Sequence, residues 1–160
     1  MDEKSPISSK VLPIPILNVT RTRLTKQSLT HGSVVPVAIL DTCVLIDGVP
    51  ELDAELAIST VSLAELHHGV CVAFHPAVRS ARLTNLIAAE TTFRALPIDQ
   101  QVAKSYGKLC ALIESKGRSV RSRTMDILIA ATAHAINAPL YTKNPRDFIG
   151  LEGHVEVVAV

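Results

Sequence analysis

Tryptophan is absent from these 160 residues, and two Tyr with three Phe bring the aromatic share to only 3%. A core without large rings must be filled by Val, Ile, Leu and Ala. A sheet that reads RNA by stacking bases on aromatic side chains is disfavoured for the same reason. Cysteine is scarce too. Cys43, Cys71 and Cys110 are odd in number, widely spaced and without a CxxC pair, which points to reduced thiols in the cytosol and away from a disulfide framework. No apolar run reaches the roughly 18 residues that a membrane helix needs. Pro13 and Pro15 break the only stretch that would serve as the apolar part of a secretion signal. No segment repeats. Charge of one sign is also missing: the formal net charge is +1, so bulk electrostatics does not by itself argue for nucleic acid.

What is present is a hydrophobic share of 48%, enough for a sheet covered on both faces. Such sheets are typically parallel and belong to α/β domains. The chain length fits one domain. Residues 1–33 mix Pro, Ser, Thr and Lys without sustained periodicity and read as a flexible extension, with 34–160 as the folded domain. The rival reading of the extension is an RNA- or partner-contacting arm carrying Arg21, Arg23 and Lys26. Residues 1–34 hold five Lys and Arg against two acids, leaving eleven against thirteen in the rest.

From Val34 onward the pattern alternates. "VVPVAIL" reads as a first strand and "LAIST" (56–60) as a second. "SLAELHHGVCVAF" and, beyond Pro76, "AVRSARLTNLIAAE" read as helices. "TFRALPI" is a third strand, and "DQQVAKSYGKLCALIESKG" is a helix stopped by Gly117. "TMDILIAATAHAIN" is a nearly all-apolar helix, "PLYT" a fourth strand and "VEVVAV" a terminal one. Alternation of this kind implies βαβ units around a mostly parallel sheet flanked by helices.

The carboxylates fall at telling places. Asp41 ends the first strand, where open parallel sheets bind ligands, yet burying it unpartnered costs several kcal/mol or more. Ser62-x-x-Glu65 has the spacing of a capping box, which explains Glu65 locally and also sets it just past the second strand. With Thr124 as N-cap, Asp126 stands at the second helical position, where it complements the helix dipole. Asn144 suits an N-cap, Pro145 the first position and Asp147 the third. Each acid has a private explanation, but none of these explains the shared address at one rim of the sheet. Four carboxylates in one cleft drive each other toward neutrality. A hard dication with oxygen ligands, Mg²⁺ or Mn²⁺, removes that penalty and is the compensation expected for Asp41.

Other residues carry weaker signals. No HExxH or zinc spacing occurs, and Cys43 has no evident His or basic activator, which disfavours a phosphatase-like thiol. It also occupies the place where a haloacid-type phosphatase would want a second Asp. His67 and His68 follow Glu65 by two and three positions; His67 turns off its face, since only i+3 and i+4 neighbours converge. His134 reads as a packing histidine. "KGRSVRSRTMD" sets Lys116, Arg118, Arg121 and Arg123 just before Asp126, a candidate phosphate-contacting segment.

"ILDTCVLIDG", "ISTVSLAELHHGV", "LPIDQQVAKSYGKL", "DILIAATA" and "LYTKNPRDFIGLEG" together resemble the PIN domain, specifically the VapC-type toxins of bacterial toxin–antitoxin pairs. The resemblance spans residues 37–160. It implies a three-layer PIN-like fold and the acidic set Asp41, Glu65, Asp126 and Asp147, with Thr142 and Asn144 supporting Asp147. It further implies a metal-dependent endoribonuclease using Mg²⁺ or Mn²⁺, an RNA substrate, a neutralising cognate antitoxin and a homodimer. Two departures stand out: Cys43 lies where Ser or Thr is common, and "VPELDAEL" is short for the helix expected after the first strand. The reading from another class is a catalytically silent PIN-like module that acts through protein contacts.

Overall fold

The computed structural model describes residues 36–160; the expectations for residues 1–33 and for Val34 and Val35 lie outside it. Pro36 immediately precedes β1 (Val37–Leu40), where its missing N–H costs no ladder bond, and its carbonyl accepts from the Glu55 N–H at 3.0 Å. The elements that follow are α1 (Thr42–Asp47), β2 (Glu55–Ser59), α2 (Thr60–Cys71), α3 (Pro76–Thr92), β3 (Arg94–Leu96) and α4 (Gln100–Ser115). A 3₁₀ turn (Arg121–Arg123) leads into α5 (Thr124–Ala135), then β4 (Leu140–Thr142), a second 3₁₀ turn (Pro145–Phe148) and β5 (Val157–Ala159).

The five strands form one sheet in the order β3-β2-β1-β4-β5, and every pairing is parallel. β1 is central, with Leu40 in register with Ile58 on one side and Tyr141 on the other. Strand alternation sorts the core into two layers. Ile39, Ala57 and Leu140 face a cluster built by α4 and α5, including Leu109, Ile113, Ile127 and Ile129. Leu40 and Ile58 face a second cluster with Val44, Leu45, Leu66 and Leu86 from α1, α2 and α3, and with Phe93 just beyond α3. The helix-flanked parallel sheet expected from the alternating pattern, in the three layers that the resemblance implied, is therefore the observed fold.

Local details depart from the sequence reading at three helix starts. The chain after Asp41 turns at once into α1, whose six residues are too few to show a helical period. Helix α2 follows β2 without a loop and is capped by Ser59, whose Oγ accepts from the Val61 N–H at 3.2 Å. Ser62 is thus not a cap but an interior residue, and the Ser62–Glu65 capping box does not form. Thr124 is the first residue of α5 and not its cap; Arg123 precedes it without a side-chain cap bond. Asn144 holds the cap position of the second 3₁₀ turn, but through its carbonyl, which accepts from the Asp147 N–H at 3.0 Å.

Candidate active site

A parallel sheet puts the carboxyl ends of all its strands on one rim, and four elements deliver acids there. Asp41 leaves β1, Glu65 lies in the second turn of α2, Asp126 is third in α5, and Asp147 is third in the 3₁₀ turn after β4.

Asp41 is the most enclosed, only 6% exposed, and its compensation is made by hydrogen bonds. Its Oδ1 accepts from the Thr42 N–H at 2.7 Å, as the cap of α1. Its Oδ2 accepts from the Thr142 hydroxyl at 2.7 Å and the Cys43 thiol at 3.1 Å. Thr142 is in turn oriented by the Asn144 N–H, which donates to its Oγ1 at 2.9 Å. Cys43 Sγ accepts from the Lys143 N–H at 3.3 Å. Burial pushes the Cys43 thiol up, so it remains a proton donor to Asp41. Thr142 therefore serves Asp41 directly, where the resemblance assigned it to Asp147; Asn144 serves both, through its N–H and its carbonyl.

Thr42 links a second acid, because its hydroxyl donates to Glu65 Oε2 at 2.6 Å. Sequence reasoning weighed neither Thr42 nor Cys43 as a donor to Asp41. The available signal was their position: two small donors follow a buried Asp directly, where a helix start turns them back toward it.

Asp126 and Asp147 are different. Among the described residues neither carboxylate accepts a hydrogen bond, and both are half-buried. The Asp126 carboxyl is pushed up from 3.8 to about 6, first by burial and then by the negative charges of Asp147, Asp41 and Glu65, with Arg123 opposing weakly. Asp126 thus lies within the field of the other three acids. The four do not close into a chelate: among the described residues no three His, Cys, Asp or Glu side chains are placed to hold a metal ion together.

The donor set is all carboxylate oxygen, which suits a hard dication such as Mg²⁺ or Mn²⁺. Asp41 and Glu65 are oriented by their donors.

The basic segment divides. Arg123 Nη1 donates to the carbonyl oxygens of Asp147 and Ile149, both at 3.1 Å. Lys116 Nζ reaches the Gly150 carbonyl at 2.9 Å and Glu152 Oε2 at 3.1 Å. The Gly150 N–H, the Glu152 N–H and Lys116 hold the Glu152 carboxyl down at about 2. Arg118 and Arg121 are exposed and make no ion pair or side-chain hydrogen bond among the described residues. His67 turns to α3, with Nε2 3.0 Å from Glu90. His134 Nδ1 lies 2.9 Å from the Ser105 hydroxyl, between α5 and α4, and burial is the first cause that lowers it.

The family model of the PIN domain matches residues 38–151. The chain is 34% identical over 138 residues to ribonuclease VapC5 of Mycobacterium tuberculosis, covering 80% of this chain and 99% of that one. It is 33% identical over 110 residues to ribonuclease VapC8 of the same organism, covering 66% and 96%. Among solved structures it resembles the M. tuberculosis VapBC-5 toxin–antitoxin structure, with a TM-score of 0.65 and 31% identity over 78% of this chain and 97% of that one. The fold alone is shared with VapBC2 of Rickettsia felis, solved on a promoter DNA fragment, at a TM-score of 0.64 and 22% identity over 78% and 98%.

Proposed function

The chain belongs to the PIN-domain family, and from that premise we propose that it is an endoribonuclease toxin, dependent on Mg²⁺ or Mn²⁺ and neutralised by a cognate antitoxin. One observation carries the chemistry: Asp126, without a donor, is pushed up to about 6 by burial and three other carboxylates. A structural core has no use for such a concentration of charge. A site that holds a dication does.

In this reading Asp41, Glu65 and Asp126 hold the principal ion, and Asp147 binds a second or orients water. When bound, the dication lowers the pKa of water and offsets charge on the phosphodiester. The residues do the rest. Thr42, Cys43 and Thr142 fix both oxygens of Asp41 so that it enters the site in one rotamer, and the Thr42 hydroxyl orders Glu65 in concert. Attack by water in line with the P–O3′ bond releases a 3′-hydroxyl and leaves a 5′-phosphate. Arg118 and Arg121 supply phosphate contacts, which position RNA and carry no sequence information. No helix among the described residues is long and apolar enough to cross a membrane, and the toxin is taken to act in the cytoplasm.

The antitoxin partner follows from the VapBC complexes among the similar structures. We also expect a homodimer: the α2–α3 hairpin exposes Val72 and Phe74, and Leu83 and Ile87 lie further along α3. The test is cleavage of a structured RNA with Mg²⁺, with Mn²⁺ and with chelator, beside Asp41→Asn, with the product ends identified. Metal-dependent cleavage to 5′-phosphate ends, lost in Asp41→Asn, supports the proposal. Full activity in Asp41→Asn, or products with 2′,3′-cyclic phosphate, refutes it. Sound folding with neither Mn²⁺ binding nor cleavage favours the silent interaction module.

A further inference from the structure

A run of cations beside an acidic site invites a nucleic-acid reading, yet the two ends of this run, Lys116 and Arg123, are bonded to the protein's own backbone carbonyls. What they hold is the segment that carries Asp147. The carbonyls of Asp147, Ile149 and Gly150 all accept from these two cations, at 3.1, 3.1 and 2.9 Å. Within that segment the backbone makes only short-range bonds. The amides of Asp147, Ile149 and Leu151 donate to the carbonyls of Asn144, Arg146 and Phe148 at 3.0, 3.4 and 3.1 Å. Gly150 sits at φ +106°, so the chain turns sharply there. A short 3₁₀ turn without a side-chain cap bond cannot set a carboxylate firmly by itself.

Arg123 is also three residues before Asp126 in the chain, and its backbone opens α5. One side chain therefore ties the start of the helix bearing Asp126 to the carbonyl of Asp147 itself. We propose that Arg123 is a positioning residue, which fixes Asp147 relative to Asp126 through its two backbone carbonyl bonds and is not an RNA contact; Lys116 secures the far end of the same segment. The proposal rests on the nuclease reading for its functional consequence, but its structural content stands apart from it. Arg123 suits the role because both N–H bonds of Nη1 lie in the rigid guanidinium plane and reach the two carbonyls, with Nη2 at 3.5 Å from the Ser119 carbonyl, whereas an ammonium rotates freely on a flexible stem.

The experiment compares Arg123→Lys, Arg123→Ala and Arg121→Ala with the natural chain. Groups that orient ligating carboxylates typically cost about 10- to 100-fold in metal affinity or activity when removed. Both Arg123 variants are expected to lose about tenfold or more in kcat and in calorimetric Mn²⁺ affinity, with KM for RNA and its salt dependence nearly unchanged. Arg121→Ala is expected to do the reverse: KM rises and the slope of log K against log salt falls by about 0.9 for one phosphate contact, or about 0.7 on a single strand. Amide exchange in the metal-free protein adds a readout independent of catalysis, with the amides of Asp147, Ile149 and Leu151 expected to exchange faster in Arg123→Lys. Arg123→Lys keeps the charge and is the variant that decides if Arg123→Ala fails to fold. Natural kcat and natural exchange in Arg123→Lys, or a change confined to KM and salt slope, overturns the proposal. If the natural chain neither binds Mn²⁺ nor cleaves RNA, the nuclease reading falls, and the exchange data alone decide the brace.

Discussion

Replacing Asp126 by Asn separates the cost of gathering carboxylates from their use. In the metal-free protein this carboxyl is raised from 3.8 to about 6, so between those values the folded chain binds more protons than the unfolded one. Stability is then greatest below the unfolded value and is lost as pH rises through about 6. At 1.36 kcal/mol per pH unit the full difference is bounded at about 3 kcal/mol. Asp126 is only half-buried, and solvent screening reduces the expected effect to about 1 kcal/mol. Without metal at about pH 7.5, Asp126→Asn should therefore be more stable than the natural chain by about that amount, and the advantage should fade toward pH 4. Mn²⁺ should reverse the ranking at the higher pH, because an ion at 100 times its Kd stabilises the folded natural chain by about 2.7 kcal/mol. Urea titrations across the pH range, with chelator and with Mn²⁺, measure both effects. Parallel pH profiles for the two proteins in chelator would refute the electrostatic reasoning, whatever the activity of the variant.

Thr142→Val removes a hydroxyl that donates to a buried carboxylate and accepts from the Asn144 N–H. Chemical denaturation should show a loss of about 1.5–3 kcal/mol, the range for hydrogen bonds to charged groups. Cys43→Ala removes only a weak thiol donor to the same oxygen; it should cost clearly less than Thr142→Val, and Cys43→Ser should match or exceed the natural stability. Ser62 is fully buried, and its hydroxyl has no partner among the described residues. Ser62→Ala should be neutral or stabilising, by up to about 1 kcal/mol, measured the same way.

The acids were legible in sequence because chain order fixes what a parallel sheet does with them. Residues that follow β1 and β4 closely, or lie in the first two turns of the helix after β2, are carried to one rim of the sheet. The apolar length of α5 likewise announced a buried helix, whose start leaves Asp126 half-buried. The donors were less legible. That Thr142 serves Asp41, 101 positions away, depends on β4 pairing beside β1, which no local pattern states. The Ser62–Glu65 spacing misled for a local reason: Ser59 ends β2 and caps α2 at once, leaving no loop in which a capping box would start. The charge of residues 116–123 was plain, but its direction was not. A cation facing solvent and one turned onto a carbonyl look identical in sequence.

The central claim is that Asp41, Glu65 and Asp126, at the carboxyl rim of the sheet, hold a dication. Crystals grown with Mn²⁺ and measured at its absorption edge test it most directly. An anomalous peak bounded by Asp41, Glu65 and Asp126, lost in Asp41→Asn, is the expected result. A fully loaded crystal with Mn²⁺ bound only elsewhere, and the three carboxylates unmoved, would contradict it.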